Sequence, residues 1–188
     1  MAGRDAALVR KVVRTGSRRS ADKLIRRHYE DIYRFVAHQM RDKDEALDVT
    51  QDVFVAAMRA LPSFDERRAS FRTWLYRIAA NKIIDWHRAR MRFTPLSIDG
   101  VEVDPVDMRD EYEELIDRAW SEGRARRAMG LLLGLEPRVQ AVVRLRVFAG
   151  SSFAEIAQAT QQGEAAAKAQ YYRAVKAMRA CIEREERL

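Results

Sequence analysis

Ala46-Leu47-Asp48-Val49-Thr50-Gln51-Asp52-Val53-Phe54-Val55-Ala56-Ala57-Met58-Arg59-Ala60-Leu61 is the stretch on which the fold turns. Leu47, Thr50, Phe54, Ala57, Met58 and Leu61 recur at spacings of three and four, which predicts one apolar face of a helix. Asp48, Gln51, Asp52, Val55 and Arg59 fall on the opposite face. The helix is expected over about 43–61, stopping before Pro62. Such a segment buries one stripe and offers the other to solvent or to a partner.

Outward from this helix the same grammar repeats. A first helix is read over Asp5–Thr15, ending at Gly16, and a second from Ser20, taken as its N-cap, to Met40. A fourth spans about 70–91, with Ser70 as its cap. Beyond residue 93 the pattern breaks. Between Phe93 and Asp117 there are nine acidic residues against Arg109 alone, and Pro95, Gly100 and Pro105 interrupt any helix. Residues 93–110 read as an acidic linker. Helices resume at about 112–133 and 137–148. A short helix up to Ala159, a turn near Thr160–Gly163 and a long helix over 164–186 then give the outline of a helix-turn-helix. The expected class is all-α, with two small helical domains, 1–92 and 111–188, joined by the linker.

Composition narrows the function. Of 188 residues, 35 are Lys or Arg and 28 are Asp or Glu, a formal +7, with pI near 9.8; such a surplus suits a polyanionic partner. Residues 1–27 alone hold nine basic and two acidic residues. A single cysteine, Cys181, excludes a disulfide framework and a Cys-rich zinc site. His28, His38 and His87 are isolated, so no metal site and no cofactor is expected. No apolar run approaches the length of a membrane span, and the basic N-terminus lacks the apolar stretch of a secretory signal, so the expectation is a cytoplasmic protein without membrane insertion. There is no Gly-rich phosphate loop and no nucleophile paired with a base, which argues against an enzyme.

Three segments, in order, resemble the extracytoplasmic-function class of sigma factors in the sigma-70 family. Residues 46–54 look like that family's polymerase-binding helix. Phe71-Arg72-Thr73-Trp74-Leu75-Tyr76-Arg77-Ile78-Ala79-Ala80-Asn81-Lys82, continuing through Ile84-Asp85-Trp86-His87-Arg88, are similar to its promoter-melting helix. Phe153-Ala154-Glu155-Ile156-Ala157-Gln158, followed by Lys168 and Arg173, match its helix-turn-helix. The resemblance implies a sigma-2-like four-helix domain and a sigma-4-like helix-turn-helix domain. Core RNA polymerase, promoter DNA and an anti-sigma factor are the implied partners.

The resemblance also implies roles. Asp48, Gln51, Asp52, Val55 and Arg59 would meet polymerase, the carboxylates pairing with cations on a partner helix. From Phe71 to Arg92 six basic residues face one acid, with aromatic residues interleaved, a mixture that holds phosphates and stacks on unpaired bases. Tyr76, Arg77, Asn81, Lys82 and Arg88, read as lying off the apolar stripe, are the candidates for the −10 strand. Phe71, Leu75 and Ile78 are assigned to the core and Trp74 to its edge. In the preceding loop Ser63, Asp65, Arg67 and Arg68 would receive a flipped base. Lys168, Gln170 and Arg173 are the candidates for the −35 element. The turn departs from the family pattern: Gln161 and Gln162 stand where a glycine and an apolar residue are usual, which predicts strain in a left-handed turn. Two other readings stay open on the residues alone. A stand-alone helix-turn-helix regulator leaves residues 46–88 without a role. A sigma-like decoy that binds an anti-sigma protein would explain the altered turn.

Overall fold

The computed structural model describes residues 2–40, 42–90, 95–103 and 125–185, and within them every regular element is helical. The elements are α1 (Ala2–Thr15), α2 (Arg18–Ala37), α3 (Lys43–Ala60), a 3-10 turn (Leu61–Ser63), α4 (Phe71–Arg90), α5 (Ala125–Gly134), α6 (Pro137–Val147), α7 (Phe153–Thr160) and α8 (Glu164–Glu185). The early part of the helix expected at 112–133, and half of the linker (93, 94 and 104–110), lie outside the described residues.

In the first unit α2 packs on α1, α3 and α4, and α3 packs on α4. The ends of the helices follow from their capping chemistry. Gly16 at φ +63° takes the left-handed position that ends α1, and its N–H donates to the Val12 carbonyl (2.8 Å). The cap of α2 is Ser17 and not Ser20: Ser17 Oγ accepts from the Ser20 N–H (3.3 Å), and Ser20 is buried in the first turn. Asp42 caps α3 by accepting from the Asp44 and Glu45 N–H groups. Ser70 caps α4 through the Thr73 N–H (3.1 Å).

The core stripe of α3 is Ala46, Val49, Thr50, Val53, Phe54 and Ala57. This corrects the sequence reading at Leu47, which is among the exposed large apolar side chains. Its place on the buried face is taken by Val49 and Val53, one helical step round. Thr50 is tolerated inside because its hydroxyl donates to the Ala46 carbonyl (2.7 Å).

The second unit is built on α6. Pro137 opens it, and buried Gln140 donates to the Leu133 and Leu135 carbonyls (3.1 and 2.8 Å), closing the end of α5. Glu155 and Ser152 form a reciprocal capping box at the start of α7. The described linker segment, 95–103, lies along this unit: the Leu96 N–H donates to Gly134 O (2.8 Å) and Lys176 Nζ to Glu102 O (2.9 Å).

The two units are docked through α4, which packs on α6 and α7 as well as on α2 and α3. A helix covered on two sides needs apolar or small residues around most of its circumference. Half of α4 is accordingly buried, Thr73, Ala80, Ile84 and His87 included.

Candidate nucleic-acid interface

The α3 stripe is outward-facing in full. Asp48, Gln51, Asp52, Val55 and Arg59 are all exposed, and Val55 keeps 49 % of its surface in solvent. With Leu47 beside it, this gives a band of two apolar side chains bordered by carboxylates. The core has no use for it.

The loop between the 3-10 turn and α4 is held by its own side chains. Asp65 accepts from the Arg67 N–H (3.0 Å) and draws the Arg67 and Arg68 guanidinium groups to 3.6 and 3.7 Å. Ser63 donates to the Ala60 carbonyl (2.7 Å). Arg10 of α1 grips Glu66 with two hydrogen bonds (2.7 and 2.8 Å), a tie that the sequence did not suggest. Arg67 and Arg68 point into solvent. A cleft separates this loop from the helix-turn-helix, with Ser63, Asp65, Arg68 and Arg77 on one wall and Gln158 and Gln162 on the other.

Along α4 the predicted residues part company. Asn81 and Arg88 are exposed and Lys82 is half-buried. Tyr76 is buried, so its placement off the apolar stripe is corrected: the ring meets Phe35 edge-on (5.0 Å, 80°) and carries the Arg72 guanidinium at 4.6 Å from its centroid. Burial pushes its phenol up, against the lowering charge of Arg72. Arg77 is half-buried, its Nη1 donating to the Ala159 carbonyl of α7 (3.4 Å). Trp74 sits in an aromatic group with Phe64 and Phe71 (5.3 and 5.6 Å), which closes the core beneath the loop.

In the helix-turn-helix the left-handed position falls on Gln161 (φ +56°, ψ +50°) and not on Gly163. The turn is secured by hydrogen bonds the sequence reading did not foresee. Arg138 Nη2 donates to the Thr160 and Gln161 carbonyls (3.3 and 3.2 Å), a cation at the C-terminal end of α7. Gln162 Nε2 donates to Thr160 Oγ1 (2.8 Å). On α8, Lys168, Gln170 and Arg173 are half-buried. The Gln170 side-chain oxygen is buried and unpaired among the described residues, so the amide expected to read bases is turned inward in this arrangement. Arg173 Nε bonds back to Ala169 O (3.3 Å). The outward face at the start of α8 is Glu164, Ala165 and Ala166.

Among the described residues no group of side chains is placed to hold a metal, and no helix is long and apolar enough to cross a membrane. Comparison with known proteins gives a consistent picture. Residues 24–93 match the family model Sigma-70 region 2, and residues 125–178 match Sigma-70, region 4. The ECF RNA polymerase sigma factor SigX of Bacillus subtilis is 29 % identical over 161 residues, 85 % of this chain and 82 % of its own length. The RNA polymerase sigma factor YlaC of the same organism is 32 % identical over 141 residues, 75 % of this chain and 79 % of its own. The solved structure of CnrH in complex with the cytosolic domain of CnrY superposes with a TM-score of 0.61 at 26 % identity, covering 96 % of this chain and 97 % of that one.

Proposed function

We propose how the residues share the work in a chain that belongs to the extracytoplasmic-function class of the sigma-70 family. It is an RNA polymerase sigma factor, an all-helical two-domain protein whose partners are core RNA polymerase and promoter DNA. Residues 1–92 form the polymerase-binding and −10 domain, 93–110 the acidic linker and 111–188 the −35 domain.

Asp48, Gln51, Asp52, Val55 and Arg59 bind core polymerase, with Leu47 added to the set by its exposure. The observation that carries this reading is the outward α3 band: apolar surface flanked by carboxylates, unused by the fold, on the helix that region 2 spans. Ser63, Asp65, Arg67 and Arg68 form the receptor for one unstacked base. Arg77, Asn81, Lys82 and Arg88 hold the separated strand through its phosphates. Tyr76 supports that surface from below, anchoring Arg72. Lys168 and Arg173 serve the −35 contact, joined by Gln170 only once its inward-turned amide is released, and the contact is modest in specificity because the first turn of α8 offers alanines and Glu164. The protein lends recognition to polymerase and does no bond chemistry of its own. It works in the cytoplasm, without cofactor or metal. A protein partner, an anti-sigma factor, restrains it; CnrH, the structural neighbour, forms a complex with the cytosolic domain of CnrY.

The test separates two steps. Asp48→Ala with Asp52→Ala is expected to weaken competition for core polymerase at least tenfold. Arg77→Ala with Lys82→Ala is expected to leave that competition nearly intact while lowering open-complex formation, read by permanganate footprinting on genomic fragments retained by the holoenzyme. Equal losses in both assays for both pairs would refute the assignment.

A further inference from the structure

The basic run at the start of the chain has no use in the fold. On α1 the buried face carries Asp5 and Val9, and the exposed face carries Arg4, Arg10, Lys11 and Arg14. At about 100° per residue these four cations cover roughly a third of the helix circumference, with no carboxylate among them. Asp5, the one acid of α1, is turned inward to Arg27 and His28. The run continues past Gly16 into Arg18 and Arg19, the first two residues of α2. The helix dipole disfavours cations there, and no acidic residue stands in that turn to offset them. Arg10 is paired with Glu66, but Lys11, Arg14, Arg18 and Arg19 make no side-chain ion pair among the described residues.

This face borders the loop assigned to the unstacked base. α1 packs on the 3-10 turn and on α4. Lys11 and Arg14 line a groove whose other side is Leu61, Pro62 and Phe64, the residues that lead into the loop. A second groove runs from Ala6 and Arg10 to Asp65, Glu66 and Arg67. Between them Arg10 bridges to Glu66 (2.7 and 2.8 Å), next to exposed Arg67. Arg88 lies near the far end of α4, and the loop joins its near end. A strand that follows α4 from Arg88 to the loop therefore meets α1 next. An anionic membrane is the poorer fit. Val13 is the one exposed large apolar side chain among the described residues of α1, too little to seat a helix in lipid.

We propose that Lys11, Arg14, Arg18 and Arg19 form an additional nucleic-acid contact: a rail for phosphates of the separated strand just beyond the flipped base, on the side away from Arg88. The inference rests on the reading of α4 and the loop as the path of that strand. The rail carries no sequence information, because cations on flexible stems meet phosphates and not base edges. Its contribution is to affinity and to salt dependence, since each neutralised phosphate releases counterions. Arg10 stays outside the rail. Glu66 holds it, and the pair fixes the loop against α1.

The test uses holoenzyme made with the full chain, on a promoter fragment it retains, premelted across the −10 element. Lys11→Gln, Arg14→Gln and Arg18→Gln together are expected to lower the slope of log affinity against log salt by about 2, at about 0.7 for each single-strand contact. Binding at low salt is expected to fall at least tenfold. Base preference at the flipped position and competition for core polymerase are expected to stay within about twofold. Methylphosphonate linkages, placed one at a time, each remove one phosphate charge. They are expected to weaken the unsubstituted holoenzyme at consecutive linkages beyond the flipped base and to have no effect there in the triple variant. A general loss of net charge does not produce that coupling. Arg14→Lys with Arg18→Lys keeps the charges and is expected to keep the slope. An unchanged slope in the triple variant, or a methylphosphonate effect that persists in it, overturns the proposal. So does a variant that keeps its DNA binding but loses core competition, or loses retention on phosphatidylglycerol vesicles; the face then belongs to polymerase or to lipid. Each of these failures leaves the sigma reading standing. An unsubstituted holoenzyme that retains and opens no genomic fragment sinks that reading, and the rail with it.

Discussion

Gln161 holds φ +56° at the end of α7 with a Cβ that glycine would lack. An L-residue in this region is strained by about 1 kcal/mol or more, and glycine regains most of that while losing some backbone entropy on folding. Gln161→Gly is expected to stabilise the protein by about 0.5–1 kcal/mol in urea unfolding, and Gln161→Val to destabilise it by more than that. The strain is sustained because Arg138 ties down the two carbonyls at the turn. Arg138→Ala is expected to cost about 1 kcal/mol and to raise amide exchange at residues 160–163. The turn's departure from its family pattern was legible in the sequence, but its remedy was not. Arg138 lies 23 residues from Gln161 on another helix, and no local pattern links them. Asp5 poses the same problem in the opposite sense. In a basic segment it reads as one surface carboxylate, yet it is buried between Arg27 Nη1 (2.5 Å) and His28 Nε2 (3.0 Å).

For the helices, the legible and the illegible divide by how many neighbours each element has. α3 has one buried face, so its period could be read and its outward stripe came out complete; only Leu47 was misassigned, by a rotation of one step. α4 has two buried faces. Its apolar residues run almost all round, and the sequence could not say which side meets its own domain and which the other. Tyr76 was lost to that ambiguity, and Trp74, Thr73 and His87 went inside with it. α1 shows what a single tie contributes to an element. It lies outside the region matched by the family model and is fastened by Asp5 to α2 and by Arg10 to the loop at Glu66. Asp5→Ala leaves a buried imidazole and a partly buried guanidinium without their acceptor, and is expected to cost about 2 kcal/mol. The loss should appear in hydrogen exchange as earlier opening of α1, with α3 little changed. Arg10→Ala breaks an exposed pair, and its effect on global stability is expected to stay under about 1 kcal/mol.

Across the whole molecule, the joint between the domains is also where protons act. His87 is buried with Arg144 near it from α6, the Gln39 carbonyl from the segment after α2, and the Trp86 ring beside it at 4.9 Å. Burial, and then the Arg144 charge, lower its pKa from 6.5 to about 4, against the opposing bond to Gln39. Burial alone brings Arg144 to about 9, which leaves it protonated at neutral pH. A histidine depressed in the folded protein contributes its stability above pH 6.5. That contribution is lost as pH falls from 6.5 towards 4, because the unfolded form takes up the proton first. Between pH 7.5 and pH 5 the folded protein is expected to lose about 2 kcal/mol on this account, at 1.36 kcal/mol for each pKa unit. His87→Gln keeps a neutral donor for the Gln39 carbonyl and should flatten that interval in urea titrations. A lower-pH loss should survive in the variant. Burial pushes Glu155 up, but bonds from Ser152 and Thr73 and the Arg72 charge outweigh it, so its carboxyl titrates below the usual range and releases its grip on the α7 cap only there. A His87→Gln protein with the same slope between pH 7.5 and 5 as the unsubstituted chain would place the proton-sensitive joint elsewhere.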